Sequence, residues 1–433
     1  MKKLPIYLSL LVLAGALPGA RGEEFRTDIN PALLYYQAFQ AAPNLDPADN
    51  NYLRPSGNDW RGQKLTPRFA ELLARYDAQL RLVRQAAHSK VPCDWGIDRS
   101  ADPDTMLPHL ARAKAVVQTA RLHAMWALQQ GRPADACEDF VASLVLGRNL
   151  SRDGTVISVL VQIAIESLVC NAIAENFGQF PPETLQQLVA GFDVPPARGA
   201  VAAAVRNDEA SFGGRTSHEI LELRRQNPGD DAKVMEGIHH LLVPQEMEPA
   251  PKGLWEHLTQ AAGGTSEGVL KLLQERAPMY EKAAVVLALP YAEYKSQMKA
   301  FSGEIEKSPN PFVTNSIPLF LRGRAKEFRV QVVLAMIRAA VECKLHGESG
   351  LKSVGDPCGK GPFAFRRFVF EGVDRGFELR SAFDLGDYPQ VLIFVEKEGP
   401  PFLLGGPRAG QALAPAVSPT DAFRQRYGAR QSK

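Results

Sequence analysis

Histidine and glutamate residues in the middle of the chain have the side chains that a zinc site requires. His218-Glu219 is followed by Glu222, so the segment begins like a helix in which two histidines bind zinc and a glutamate acts as general base. Glu222, however, stands where the second histidine is needed. A zinc site would have to recruit His239, His240 or His257 from another segment. We predict no metal site, and keep a hydrolase built from His218, Glu219, His239 and His240 as an alternative function.

A second group of residues, in the N-terminal half, has the side chains of a binding site. Asp94-Trp95 is followed by His109, and an aromatic ring beside a carboxylate and an imidazole is suited to a ligand groove. The alternative is a buried tryptophan that anchors a loop between helices and donates its indole N–H to a carboxylate. We favour the buried tryptophan, and keep Asp94, Trp95 and His109 as the candidate ligand groove.

Other motifs give no support to an enzyme. The chain has neither the phosphate-binding loop of nucleotide hydrolases nor the glycine pattern of dinucleotide-binding folds. We also expect no nucleophile turn of the Gly-x-Ser-x-Gly type. The nearest pairs of carboxylates, Asp102/Asp104 and Asp230/Asp231, fall in turns and are typical of solvated loops or helix caps. We assign no catalytic residue and no cofactor.

The five cysteines are too few for a disulfide-dense scaffold, and no two have the Cys-x-x-Cys spacing of a metal site. Cys343 and Cys358 enclose a short loop after a long helical segment, which makes them the candidate disulfide. Cys137 and Cys170 lie among Ala and Val in helical segments and are expected to be buried as small apolar side chains.

The first 22 residues have the layout of a secretory signal peptide. A basic start is followed by an apolar run over residues 4–17, and small residues stand at Ala20 and Gly22, before a cut at Glu23. The apolar run would rise about 21 Å as a helix, less than the roughly 30 Å of a bilayer core. We predict cleavage, export to the periplasm or the medium, and no stable membrane span in the mature chain.

The composition also limits the classes of partner. The chain is 45% hydrophobic and 23% charged, which excludes a wholly disordered protein. It has 50 Lys+Arg against 48 Asp+Glu, and loss of the leader leaves 47 against 48. This balance gives no electrostatic reason for nucleic-acid binding or membrane adhesion. We expect a protein partner in the cell envelope.

The elements that must position these residues are mainly helices. Residues 23–312 have a helical period, with Thr66-Pro67 as an N-cap followed by proline at the first helical position. The pattern predicts irregular antiparallel helical hairpins, with breaks at several Pro and Gly clusters that include residues 212–214. Residues 122–150 resemble one tetratricopeptide-type unit, with Gly131 at the turn between its two helices.

The last part of the chain predicts a different module over residues 313–398. A long helix capped at Asn315 or Ser316, with Pro318 in its first turn, is expected to stop at Gly347. Three short runs of alternating or apolar residues then predict a three-stranded antiparallel sheet laid on that helix. We assign residues 399–433 to a flexible tail. The predicted class is mainly α, with a small sheet packed on a long helix.

The order of these features resembles a group of exported bacterial proteins of unknown function. The residues that carry the likeness are 30–39 (NPALLYYQAF), 93–96 (CDWG) and 106–110 (MLPHL). Residues 356–363 (DPCGKGPF) and 376–381 (GFELRS) also resemble the soluble end of type II secretion pseudopilins. The resemblance implies a local fold of a long helix and a small sheet.

The chain departs from the pseudopilin pattern in ways that bear on function. The signal peptide stands far upstream of the long helix, and that helix carries several basic residues, which a filament core would not accommodate. Some pseudopilins bind calcium in the final loop, where this chain has Asp384 and Asp387. Two carboxylates are too few for a calcium cage of six to eight oxygens unless carbonyl oxygens complete it. The resemblance therefore leaves a role as accessory protein of a secretion filament as a second alternative.

These observations together predict an exported, non-enzymatic interaction protein associated with the cell envelope. The prediction depends on the helical-hairpin pattern, which presents grooves between helices, and on the lack of an assigned catalytic motif.

Overall fold

The computed structural model describes residues 25–54, 60, 64–97, 107–194, 196–242, 253–385 and 390–397. The predicted signal peptide and the predicted tail lie outside these residues, as do Asp102, Asp104 and Asp387. The described part is mainly helical and ends in a three-stranded antiparallel sheet. The predicted fold class is confirmed.

The helices follow one another through short joints along most of the chain. Their bounds are α1 Pro31–Gln40, α2 Pro47–Leu53, α3 Pro67–Ala74, α4 Asp77–Ala87, α5 Pro108–Gln129, α6 Pro133–Ser151, α7 Val156–Glu175, α8 Pro182–Gly191, α9 Val201–Gln226, α10 Asp231–Leu242, α11 Leu254–Ala261, α12 Ser266–Glu275, α13 Ala277–Ala288, α14 Tyr291–Glu306 and α15 Pro311–Ser353, with a 3-10 turn at Phe177–Gln179.

Several helices begin where the sequence predicts and one does not. Thr66 caps α3 by accepting a hydrogen bond from the Phe69 amide, with Pro67 at the first helical position, as predicted. The long helix α15 instead begins at Pro311, because Asn310 accepts a hydrogen bond from the Phe312 amide. The predicted cap at Asn315 or Ser316 is therefore wrong, and Pro318 lies inside the helix.

The long helix does change direction at the predicted glycine. Gly347 has φ 65°, in the left-handed region that favours glycine, so the helical hydrogen bonding of α15 is interrupted there before the last turns.

The helix α7 forms the centre of the described part. It packs between α6, α9 and α15 and also contacts the sheet. By length and composition α7 is the one helix of the described residues that could cross a membrane. Its buried residues include Gln162 and Glu166, whose polar groups are bonded within the protein. In this fold α7 is a core helix.

The small sheet consists of β1 (Ala364–Phe370), β2 (Val373–Arg380) and β3 (Val391–Val395) in that order. Between β1 and β2, Glu371 and Gly372 both have positive φ, of 51° and 77°, as two-residue hairpin turns require. Phe377 and Phe394 stack on each other at 4.9 Å, and both contact Phe177 from the turn after α7. The aromatic contacts join the sheet to the helices.

The core is continuous across the predicted domain boundary at residues 312 and 313. One apolar cluster extends from Ala32 in α1 to Phe394 in β3. At the junction, the Gly178 backbone lies so close to Glu396 that a Cβ at Gly178 would stand 2.2 Å from the Glu396 carbonyl oxygen. The helical region and the sheet therefore share one interior.

The residues that resemble the pseudopilin pattern hold the loop before β1 to the end of β2. The Asp356 carboxylate accepts hydrogen bonds from the Ser381 hydroxyl, the Ala382 amide and the Cys358 amide. Asp356 and Ser381 are both buried. Their role in this fold is structural, since the carboxylate ties together two segments that the sheet alone does not connect.

The cysteines are all free thiols, so the predicted bond between Cys343 and Cys358 is not formed in the structure. The Cys343 thiol lies near Glu396 and Arg367 of the sheet region. The Cys358 thiol lies near Arg324, which precedes Cys343 by 19 residues of helix, or about 28 Å. Cys343 and Cys358 enclose a short loop in the sequence, but this does not bring their sulfur atoms together in the structure. Cys137 and Cys170 are buried, as predicted.

A buried carboxylate on α7 holds several elements together. Glu166 is fully buried and accepts two hydrogen bonds from Arg198, of 2.8 and 2.7 Å. Arg148 of α6 lies 3.8 Å from the same carboxylate and donates to the carbonyls of Phe192 and Val194. Because Arg198 lies three residues before the first residue of α9, its pairing with Glu166 of α7 fixes where α9 begins.

Replacing Glu166 with alanine is expected to lower the free energy of unfolding by about 3–5 kcal/mol, because Arg198 and Arg148 lose a buried counter-charge. The measurement is urea unfolding followed by circular dichroism. The matched control is Glu281→Ala, which removes one partner of the exposed Arg206–Glu281 pair and should change stability by no more than about 0.5 kcal/mol. Equal effects of the two substitutions would contradict the role given to Glu166.

Candidate functional site

The predicted ligand groove at Trp95 is closed by packing. Trp95 is buried and stacks on His109 at 4.6 Å and on Tyr35 at 5.6 Å. Its indole N–H donates to the Asn149 carbonyl at 2.9 Å. The structure therefore matches the alternative of a loop anchor, although the acceptor is a backbone carbonyl rather than a carboxylate.

The other two residues of that group are brought to different surroundings. His109 is only 2% exposed, and burial lowers the pKa of its imidazole from the ordinary value of 6.5, with Asp153 partly opposing. Asp94 is exposed and accepts from the Gly96 amide, while its backbone pairs with the Asn30 side chain. The candidate groove of Asp94, Trp95 and His109 is thus a packed contact between a loop and the start of α5.

The residues of the zinc alternative do not converge. His218 is exposed on α9, where it lies near Glu222. His239 stands on α10 and its ring contacts Trp255 at 4.8 Å. Within the described ranges, no group of three His, Cys, Asp or Glu side chains is placed to hold a metal ion.

The calcium alternative meets a similar obstacle. The Asp384 carboxylate accepts hydrogen bonds from the Tyr291 hydroxyl and the Lys295 ammonium, which together lower the pKa of Asp384. A side-chain cation already compensates its charge, so Asp384 is not arranged as a calcium ligand.

The expectation that the chain has no nucleophile-turn motif is wrong as a statement about the sequence. Residues 264–268 read Gly-Thr-Ser-Glu-Gly, which has the spacing of the nucleophile turn in α/β hydrolases. That turn joins a strand to a helix, whereas here α11 precedes it. Ser266 is buried at the first position of α12, and its hydroxyl donates to Asp231. The depression of about 510 Å³ beside it has no histidine among its lining residues. Ser266 ties the start of α12 to Asp231, while Thr265 caps that helix by accepting from the Gly268 amide.

The site with the features of a ligand pocket lies between α9, α13 and the first turns of α15. It is a cavity of about 470 Å³, within the range of small-molecule sites. Its walls are mostly aromatic and aliphatic, with a few charged side chains. The lining includes Asp208, Glu209, Phe212, Arg215, Trp255, Leu258, Arg276, Tyr280, Phe312, Ser316 and Phe320.

Arg276 is the central charged residue of this cavity. It stands at the joint of α12 and α13 and is 1% exposed. Three aromatic rings surround its guanidinium, with centroids 5.0 Å away at Phe212, 5.1 Å at Tyr280 and 5.4 Å at Phe312. Glu209 of α9 supplies the counter-charge at 3.0 Å. A buried cation among ring faces is stabilised electrostatically and keeps a fixed position.

A glycine on α9 makes room for this arginine. A Cβ at Gly213 would stand 2.8 Å from Nη2 of Arg276, whereas a Cβ at Gly214 would meet nothing within 4 Å. The sequence prediction of a helix break at residues 212–214 is wrong, because α9 continues through them. The glycine is required for close approach of another side chain rather than for a turn.

The charges around the cavity are engaged with the fold. Asp208 accepts a hydrogen bond from the Val156 amide at the start of α7. The Tyr280 hydroxyl donates to the Phe312 carbonyl at 3.2 Å, and burial raises the pKa of Tyr280, so this hydroxyl is neutral at pH 7. The two acidic and two basic side chains of the lining balance one another.

The predicted groove residues lie close to this cavity in the sequence but do not line it. Ile97 and Leu107, each two residues from the packed Trp95–His109 pair, are part of its lining. Glu209, Arg276 and Tyr280 were not singled out, because they come from segments some 70 residues apart and belong to no local motif. The one local signal is the glycine pair at residues 213 and 214 inside a helical pattern.

Burial of His109 predicts a specific pH dependence. Because its pKa is lowered in the folded state, the unfolded chain binds a proton more readily below pH 6.5, and stability falls as the pH drops through that value. The difference in unfolding free energy between the parent and His109→Gln should shrink from pH 7.5 to 5.5, by at most about 1.4 kcal/mol per pH unit. His88, whose pKa is raised beside Glu138, is present in both proteins and cancels. Parallel stability curves would contradict the prediction.

The glycine pair on α9 provides a matched test of the arginine site. Gly214→Ala is expected to raise the free energy of unfolding by about 0.5–1 kcal/mol, as alanine does in an open helix position. Gly213→Ala should be less stable than Gly214→Ala by about 1–3 kcal/mol, because its methyl group meets the caged Arg276. Urea unfolding of both variants gives the comparison. Equal stabilities would show that Arg276 is free to move aside.

Comparison with known proteins gives no family for this chain. No protein-family model, no curated protein and no solved structure matches it. A functional conclusion therefore has to be drawn from the geometry of the cavity.

Proposed function

We propose that this protein is an exported, non-enzymatic binding protein of the cell envelope, and that the cavity between α9, α13 and α15 is its ligand site. The observation that carries the proposal is a buried arginine, held by aromatic rings, in the wall of an apolar cavity of about 470 Å³. Pockets with apolar walls and a few fixed polar groups are typical of small-molecule sites.

A binding role fits the state of the charged groups better than a catalytic role. Glu209 is held in an ion pair with Arg276, and Asp208 caps α7 through the Val156 amide. A general acid or base has to exchange a proton with the substrate, whereas these groups are engaged in holding the fold. Fixed groups of this kind are suited to orienting a ligand.

The two alternatives have less support from the geometry. A hydrolase using His218, Glu219, His239 and His240 needs side chains that converge on one point, and the described residues provide no such group. A role in a secretion filament depends on the likeness at Asp356 and Ser381, whose contacts serve the local fold. That role predicts co-purification with the secretion machinery.

The export part of the proposal depends on the amino-terminal sequence. The basic start, the apolar run and the small residues before Glu23 support it. The protein partner that we expect in the cell envelope would then bind this protein outside the cytoplasm, with or without a ligand in the cavity.

Filling the cavity is expected to weaken binding of a neutral apolar dye such as Nile red to the mature protein. Ser316→Trp places a large side chain in the cavity wall and should weaken dye binding about tenfold or more, measured by fluorescence titration. The matched control is Leu319→Trp on the same helix, at a position that is 53% exposed, which should leave the affinity unchanged.

Two outcomes would contradict the ligand-site proposal. The first is a parent protein that does not bind the dye. The second is a Ser316→Trp variant that binds it as tightly as the parent while showing the same helical circular dichroism spectrum.

A further inference from the structure

Each charged side chain in the lining of the cavity already has a partner within the protein. Arg276 pairs with Glu209 at two points, with 3.3 Å between Nε and Oε1 and 3.0 Å between Nη2 and Oε2. Asp208 and Arg215 each form a hydrogen bond with a backbone group. A charge taken out of water without a partner is costly. The interior of the cavity therefore suits the apolar part of a ligand rather than a charged group.

The cavity is partly open to solvent, so a ligand can extend beyond it. Two residues of its lining, Phe212 of α9 and Asn315 of α15, are exposed. The surface of α15 that continues from Asn315 therefore lies at the mouth of the cavity. The side chains on this surface would contact any part of a ligand that stays outside.

The exposed face of α15 presents an apolar residue and then two cations. Asn315, Leu319, Arg322 and Lys326 are all exposed and are spaced by four, three and four positions, which places them on one face of a helix. Leu319 is 53% exposed and lies about one turn beyond Asn315. Arg322 and Lys326 follow at about 11 and 17 Å along the helix from Asn315. Apolar surface is thus offered next to the mouth, and positive charge farther out.

The two cations are not compensated within the part of the chain that the structure describes. Neither the Arg322 nor the Lys326 side chain forms an ion pair or a hydrogen bond there. The nearest carboxylate in the sequence, Glu327, is buried and pairs with Arg324. Like charges one helical turn apart repel each other, so an anion that binds both cations is favoured.

The order of these features along α15 matches a molecule with an apolar end and an anionic end. We propose, building on the ligand site proposed above, that the ligand is an amphiphilic anion, in which an apolar chain ends in a carboxylate or phosphate group. The chain fills the cavity and leaves it across Leu319. The anionic head group then binds Arg322 and Lys326.

A single amphiphile explains these features better than a bilayer surface does. Two cations strengthen adhesion to anionic lipids by only about fivefold each. An amphiphile adds the burial of its chain, which strengthens binding by up to about fourfold for each CH₂ group. Both contributions are available to one molecule, because the cavity lining and the two cations share one stretch of α15.

The experiment is isothermal titration calorimetry of the mature full-length protein with two single-chain amphiphiles, both kept monomeric. Decanoate has an anionic head group, and decyltrimethylammonium has a cationic head group on a chain of similar length. Decanoate should bind about tenfold more tightly or better, because only its head group is attracted to Arg322 and Lys326. If decyltrimethylammonium binds as tightly as decanoate, recognition of an anion is wrong.

The double variant Arg322→Gln/Lys326→Gln tests the two cations directly. It should weaken decanoate about tenfold and leave binding of the uncharged Nile red unchanged. The matched control is Lys352→Gln/Lys360→Gln, which removes two charges at exposed positions near the other end of α15. That site lies at least about 30 Å of helix beyond Lys326, so the control should bind decanoate like the parent. Circular dichroism checks that both variants fold.

Sedimentation with phosphatidylglycerol vesicles distinguishes a bound amphiphile from a bilayer surface. The inference expects decanoate binding to depend on Arg322 and Lys326. Loss of vesicle binding in the Arg322→Gln/Lys326→Gln variant, with decanoate binding unchanged, would show that the cations contact a bilayer and would overturn the inference.

The remaining outcomes separate this inference from the function on which it depends. If the two double variants bind decanoate equally, the cations do not recognise its head group and the inference is wrong. If decanoate does not bind while Nile red still binds the parent more tightly than Ser316→Trp, the amphiphilic anion is wrong and the ligand site stands. If the dye also fails to distinguish the parent from Ser316→Trp, both proposals fail.

Discussion

The buried charge of Glu166 is the constraint on which the arrangement of the helices depends. It lies in the middle of the apolar core helix α7, where an unpaired carboxylate would be very costly. Arg198 and Arg148, which belong to two other segments, compensate its negative charge. These pairs add little net stability over an apolar core, but they allow one arrangement and penalise the others, because each displacement would leave a charge unpaired.

The constraint extends from the core to the cavity through α9. Arg198 is bound to Glu166, the Gly199 amide donates to Gln162, and the Val201 amide donates to Glu327 of α15. Buried polar groups of α7 and α15 therefore fix the first residues of α9. Since α9 is a continuous helix, its start determines where Glu209 and Gly213 face Arg276. The cavity is thus a consequence of buried electrostatics about two to three turns away.

The cavity wall combines rigid and adaptable parts. Arg276 is confined by the rings of Tyr280 and Phe312, and it packs against Gly213, which has no side chain to displace it. Phe212 has more freedom, because it is partly exposed at the rim. A fixed charge with one adaptable neighbour lets a site keep its polar geometry while admitting a ligand, which limits the entropy lost on binding.

Local features of the chain were predictable because they depend on neighbouring residues. The capping of α3 by Thr66, the break at Gly347 and the change from helical to strand period are determined within a few residues. The burial of Trp95 was one of two alternatives, because a tryptophan beside an aspartate occurs in grooves and in cores alike. The predicted cap of α15 lies five or six residues too late, since Asn310, Asn315 and Ser316 are all competent caps.

The sequence by itself determined the helical character, the three strands and the near-neutral charge, because these follow from composition and from periods of two to four residues. Only the tertiary structure decided that Gly213 serves Arg276 rather than a turn, that Cys343 and Cys358 lie apart, and that Arg324 is buried against Phe328 and paired with Glu327. The physical reason is that these outcomes depend on which distant side chains share one buried space. The residues next to a glycine, a thiol or a charged group in the sequence are the same whether or not a distant side chain packs against it or pairs with it.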